Sequence, residues 1–139
     1  NFLNSNRNFN NFVFKNSIDQ CENIKFIGKV TDLNKFYSKI DVLIFPSYLN
    51  SVGRPVIESS LFKIPSIIGL KKFNNDTAIK NASLIFTPGD IEELYEKILF
   101  FHINREKIVE MGLNAYNNAV NLFDHNKNTK KFINILNKL

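Results

Sequence analysis

DVLIFPSYLNSVGRPVIESS, residues 41–60, passes from a short apolar run through a polar loop into a helix start that carries Glu58. Val42, Leu43, Ile44 and Phe45 follow one another without a polar residue, as in a strand covered on both faces, and Pro46-Ser47 stops it. Gly53 lets the backbone approach a neighbour closely, and Pro55 suits the first helical position, where its missing N–H would have been unpaired anyway. The unpaired N–H groups of such a first turn, at the positive end of the helix dipole, make a site for phosphate. The stretch predicts a strand, a ligand-holding loop and a helix, in that order.

The same pattern extends outward. Residues 24–27 predict a strand ended by Gly28, and residues 32–40 a short helix with Leu33, Phe36, Tyr37 and Ile40 on one face. A helix over 55–62 precedes a strand over 66–68 that Gly69 ends. A polar link through Asn74, Asn75 and Asp76 then leads by a short helix to a fourth strand over 83–86. Asp90, with Glu93 three residues on, predicts a capping box opening a helix whose apolar side holds Leu94, Ile98 and Leu99. Helices over 105–123 and 128–139 follow, the last with Phe132, Ile135, Leu136 and Leu139 at i, i+3, i+4 and i+7. Strands alternating with helices define the α/β class, here a Rossmann-like parallel sheet with helices on both faces. Ligands of such sheets lie beyond the carboxyl ends of the strands, which singles out the loops after Ile27, Phe45, Ile68 and Phe86.

At 139 residues and 44% hydrophobic content the chain is long enough for one domain with a core. The single cysteine, Cys21, excludes an intramolecular disulfide and reads as a small buried hydrophobe, and no His or Cys cluster has metal-ligand spacing. His102 and His125 have no Ser, Cys or Asp partner patterned for nucleophilic catalysis. The absence of Gly-x-Gly-x-x-Gly and of a Walker-type Gly-Lys-Ser argues against a dinucleotide enzyme and a P-loop ATPase. No apolar run approaches the roughly 20 residues that span a bilayer. A net charge of +5 favours phosphate-rich partners. The lysines are scattered, however, and are not interleaved with stacking aromatics, so nucleic acid is not an expected partner. Asn1 without a Met or a signal-peptide pattern predicts a chain that begins inside a longer protein.

Five blocks occur in order: FIGKVTD (26–32), FYSKIDVLIFPS (36–47), NSVGRPVIES (50–59), KIPSIIG (63–69) and LIFTPGDIEELYEKI (84–98). Together they resemble the donor-binding domain of GT-B-fold glycosyltransferases, specifically glycosyltransferase family 4, the glycosyl transferases group 1. The resemblance runs from about Ile24 to the C-terminus and implies that residues 1–139 are a partial C-terminal nucleotide-sugar-binding domain with C-terminal helices, the later half of a GT-B C-terminal domain. It implies retaining, hexosyltransferase-like glycosyl transfer by the full-length protein, with no metal or other cofactor, the chain alone being inactive. The implied partners are a nucleotide-sugar donor, a sugar or lipid-linked acceptor, an acceptor domain upstream of Asn1, and a peripheral membrane contact. A cytoplasmic location at the inner face of the membrane and a part in polysaccharide biosynthesis go with it.

Residue by residue, Glu58 matches the second Glu of the family's motif of two glutamates separated by seven residues, and is implied to bind the ribose hydroxyls. A carboxylate suits a vicinal diol because it accepts two hydrogen bonds. Ser51, Val52, Gly53 and Arg54 match the loop whose main-chain N–H groups meet the diphosphate, and Val30, Asp32 and Lys35 fall where the base pocket is shaped. Asn50 stands in place of the first Glu, a catalytic position; it retains hydrogen bonding to a sugar hydroxyl or phosphate but brings no charge to a cationic transition state. The family's diphosphate-clamping Arg and Lys would lie upstream of Asn1.

Each of these residues also has a plainer reading. A carboxylate at Glu58 offsets the helix dipole by about 0.3–1 kcal/mol. Asn50 is a turn former, and Lys35, Lys29, Lys71 and Lys72 are solvated charges. The alternative function on the same fold is a non-catalytic nucleotide-binding or interaction module.

Overall fold

The computed structural model describes residues 20–49, 51–71 and 79–138, and the chain divides into two compact units, residues 1–33 and 34–139. In the first unit the Ile24 N–H donates to the Cys21 carbonyl at 3.1 Å and closes a turn. The strand expected over residues 24–27 is not formed, and Ile24, Phe26 and Ile27 are 46%, 51% and 65% exposed. A strand is made by ladder hydrogen bonds, which an apolar run does not by itself specify. Cys21 is exposed as well, against the expectation of a buried thiol.

Three parallel strands form the sheet of the second unit: β1 (Leu43–Phe45), β2 (Ser66–Gly69) and β3 (Ser83–Phe86), in the spatial order β1-β2-β3. The helices are α1 (Leu33–Tyr37), which begins at the last residue of the first unit, α2 (Arg54–Leu61) between β1 and β2, then α3 (Ile91–Ile103), α4 (Arg105–Leu122) and α5 (His125–Leu136). The short helix expected between residues 74 and 82 begins outside the described residues.

Register and pleat together explain the core. Phe45, Ile68 and Ile85 stand in one row, Ile44, Ile67 and Leu84 in the next. Because side chains alternate along a strand, the rows face opposite ways. Ile68 and its neighbours Leu43, Phe45 and Ile85 pack with Val56 of α2, whereas Ile67, Leu84 and Phe86 pack with Phe101 of α3 and Met111 of α4. The expected parallel α/β sheet with helices on both faces is therefore present. At the amino ends of β2 and β3 the hydroxyls of Ser66 and Ser83 are 2.8 Å apart and satisfy each other.

Helix α4 lies close because the residues it buries are mostly small: Gly112, Ala115 and Ala119, beside Met111. A Cβ on Gly112 would lie 2.9 Å from the carbonyl carbon of Lys63 and closer still to its oxygen. Asn114 and Asn118 tie the same helix to the turn before β3, donating to the carbonyls of Asn81 at 3.0 Å and Lys80 at 2.9 Å. Helix α5 buries no residue, and Phe132 and Ile135 on it are 62% and 60% exposed.

The capping box at α3 is half as expected. Asp90 accepts from the Glu93 N–H at 2.9 Å. Glu93 reaches past Asp90 to the Thr87 N–H at 2.6 Å, since the Asp90 N–H is already donated to the Thr87 carbonyl.

Candidate functional site

The loop from Pro46 to Gly53 leaves the carboxyl end of β1, where a parallel sheet holds its ligands. It begins with a tight turn, the Ser47 hydroxyl accepting from the Leu49 N–H at 3.0 Å. Gly53 caps α2 with φ −80° and ψ 160° and offers no side-chain cap. Arg54 is the first helical residue and Pro55 the second, one place later than the spacing suggested. Pro55 has no N–H, and that of Val56 turns back onto the Gly53 carbonyl at 3.0 Å. Among the described residues, no hydrogen bond uses the backbone N–H of Ser51, Val52, Gly53 or Arg54. Those four N–H groups, with the positive end of the α2 dipole, are donors of the kind an anion takes.

Glu58 lies one turn further along α2, and its side chain is 24% exposed. Oε1 pairs with the Arg54 Nε at 3.1 Å, and Oε2 accepts from the Tyr37 hydroxyl at 3.2 Å. Burial raises the Tyr37 pKa, the Glu58 charge and hydrogen bond raise it further, and Arg54 opposes them. The phenol therefore keeps its proton and remains a donor at neutral pH. An ionised carboxylate has about four acceptor positions, of which the donors among the described residues, Arg54 and Tyr37, engage two.

The structure thus brings together Ser51, Val52, Gly53, Arg54 and Glu58 in one loop and helix start. Lys35, on α1, is exposed, and its carbonyl accepts from the Ser38 hydroxyl at 3.1 Å. Val30 and Asp32 belong to the first unit, where Val30 is half-buried and Asp32 exposed. Asn50 and Lys72 lie outside the described residues. The residue missed by sequence reasoning is Tyr37, whose helical spacing marks it as core while its hydroxyl meets Glu58, 21 positions on. A buried tyrosine's need for a hydrogen-bond partner was the available signal.

A cavity of about 880 Å³ lies at the other end of the sheet, lined by Ser83, Phe100, Lys107, Glu110 and Met111 among others. It adjoins the amino end of β3 and has none of the loop residues in its wall. Among the described residues, no group of three or more His, Cys, Asp or Glu side chains is placed to hold a metal ion. No helix among them is long and apolar enough to cross a membrane.

A three-stranded parallel sheet with helices on both faces, its β1 leading through the candidate loop into α2, defines a protein of the α/β class. Residues 10–118 match the family model described as glycosyl transferases group 1, and the chain belongs to that family. Its fold is the Rossmann-like fold of GT-B glycosyltransferase domains. Sucrose-phosphate synthase from Thermosynechococcus elongatus is similar in structure with a TM-score of 0.79 and 18% identity, over 95% of this chain and 33% of that one. HepE from Anabaena, in complex with UDP, is similar with a TM-score of 0.79 and 19% identity, over 96% of this chain and 36% of that one. The chain spans about a third of the length of these two proteins. No curated protein sequence matches it.

Proposed function

We propose that this chain binds the nucleotide-diphosphate-sugar donor of a retaining glycosyltransferase. The diphosphate sits on the N–H groups of Ser51 to Arg54, and Glu58 receives the ribose hydroxyls. The observation that carries the reading is the Glu58 carboxylate, half-buried one turn below the Gly53 cap, with Tyr37 and Arg54 holding its two oxygens. Family membership supplies the reaction class, and the UDP bound by HepE agrees with the kind of ligand. The donors at the helix start would stabilise the negative charge that develops on the leaving diphosphate. No metal or other cofactor enters this scheme. The acceptor is a sugar or lipid-linked sugar bound by a partner domain, with membrane contact made from the cytoplasmic side.

Titration of the intact protein with UDP, GDP and ADP tests the donor site. Glu58→Ala is expected to weaken the preferred nucleotide about tenfold or more, the scale of a lost hydrogen bond to a charged group. Equal affinity in both proteins removes Glu58 from the site.

One sequence observation favours a second reading. Asn50 carries no charge where the family has a glutamate, which points to a nucleotide-binding module without catalysis. Transfer or donor hydrolysis by the intact protein, well above background, rejects this alternative.

A further inference from the structure

Tyr37 is 4% exposed and fixed between two rings. It stacks on Phe62 with centroids 4.9 Å apart at 23°, and meets Phe36 edge-on at 5.1 Å and 70°. A phenol so held delivers its hydroxyl to one place. That place is 3.2 Å from Glu58 Oε2, with the Pro55 carbonyl at 3.5 Å as the second acceptor in reach. The other partner of Glu58 is softer. Arg54 is 87% exposed, and an ion pair of that kind holds a side chain weakly against water. Of the two groups on the Glu58 carboxylate among the described residues, Tyr37 is the rigid one.

A glutamate on a helix surface rotates about three side-chain bonds, and binding a diol to it costs the ordering of those bonds. A fixed hydroxyl on one oxygen meets that cost before the ligand arrives. The Tyr37 to Glu58 distance exceeds the roughly 2.7 Å typical of O–H···O bonds, so the expected effect is moderate.

We infer that Tyr37 is a positioning residue for donor binding: its hydroxyl holds the Glu58 carboxylate in the orientation that receives the ribose diol. The inference rests on the ribose-binding reading of Glu58. Burial and the Glu58 charge keep the phenol protonated, as the donating role requires.

The test compares a ribonucleoside diphosphate with its 2′-deoxy form on the intact protein, using whichever of UDP, GDP and ADP binds wild type most tightly. Tyr37→Phe keeps the ring between Phe36 and Phe62 and removes only the hydroxyl. It is expected to weaken the ribonucleotide about three- to tenfold while leaving the deoxynucleotide and the unfolding temperature nearly unchanged. Deoxynucleotide binding also reports whether the variant has folded. Phe62→Leu, which loosens the ring without touching the hydroxyl, should weaken the ribonucleotide less than Tyr37→Phe. If Glu58→Gln loses the preference for ribose and Tyr37→Phe retains it, the role of Tyr37 is overturned and that of Glu58 stands. Equal weakening of both nucleotides by Tyr37→Phe also overturns it, as a purely structural effect. A Glu58→Gln protein that keeps the preference, or failure of all three nucleotides to bind, overturns both readings.

Discussion

Gly53 and Phe45 meet at the root of the candidate loop, where a Cβ on Gly53 would lie 2.8 Å from the ring carbon Cε1 and closer still to Cζ. Gly53 has an ordinary extended backbone, so the need for glycine comes from the ring and not from φ. Phe45 packs on the cluster of Val56 and Ile68, and its ring yields only by disturbing that cluster. Gly53→Ala is expected to cost about 1–3 kcal/mol of stability, as overpacking does, and to weaken nucleotide binding by shifting the loop. Thermal unfolding with a parallel titration checks both. In a Phe45→Leu background the added methyl should be nearly harmless.

Gly112 should respond in the opposite sense from a typical helix glycine. Replacing an exposed mid-helix glycine by alanine gains about 1 kcal/mol of helix propensity. Here the new methyl would run into the backbone carbonyl of Lys63, which has no rotamer by which to move away, and Lys63 is itself held at φ 60°. Gly112→Ala is expected to destabilise by about 2 kcal/mol or more, net of the propensity gain. A chemical denaturation midpoint above that of wild type would refute this.

Glu93 makes part of the stability pH-dependent. The Thr87 N–H, and after it Lys97, hold the carboxyl of Glu93 below the usual carboxylate range. A depressed folded value means that the contribution is fully present above the unfolded pKa, about 4.3, and is lost as pH falls through the folded one. Glu93→Gln should therefore unfold at a lower temperature than wild type at pH 7, with the gap closing as the pH falls through 4 toward 2. Melting curves over that range decide it, because parallel pH profiles would show that the carboxylate contributes nothing.

Arg54 and Glu58 form an ion pair that the fold hardly needs. With Arg54 87% exposed, Arg54→Gln is expected to change stability by less than about 0.5 kcal/mol, the scale of exposed pairs at i,i+4. A loss of 1.5 kcal/mol or more in urea denaturation would mean that the pair is shielded from solvent far better than its exposure indicates.

Much of the sheet is legible in the sequence because its strands are apolar runs closed by residues that cannot continue them: Phe45 by Pro46, Ile68 by Gly69, Phe86 by Thr87-Pro88. The run at 24–27, apolar but for Lys25, is no strand, since an apolar run does not by itself specify ladder pairing. Asp90 was legible as a cap because its bond to Glu93 is local, whereas the reach of Glu93 to Thr87 depends on which N–H groups the turn has already used. The helix start at Gly53 and the placement of Glu58 also follow from local spacing. What spacing does not contain is the meeting of Tyr37 with Glu58, made by two helices whose separation in sequence says nothing of their distance. Gly53 was readable as a close approach, though not that the neighbour is the ring of Phe45.

The hydroxyl pair of Ser66 and Ser83 has a mechanical consequence. It joins β2 and β3 at their amino ends, whereas the candidate loop leaves the carboxyl end of β1. Slipping the pair by one residue would set Ser66, 2% exposed, against an apolar neighbour and strand a buried hydroxyl. With Gly69 and Phe86 still in register at the far end, the hydroxyl pair helps to lock β2 and β3 against sliding along each other, at the end of the sheet opposite the candidate loop.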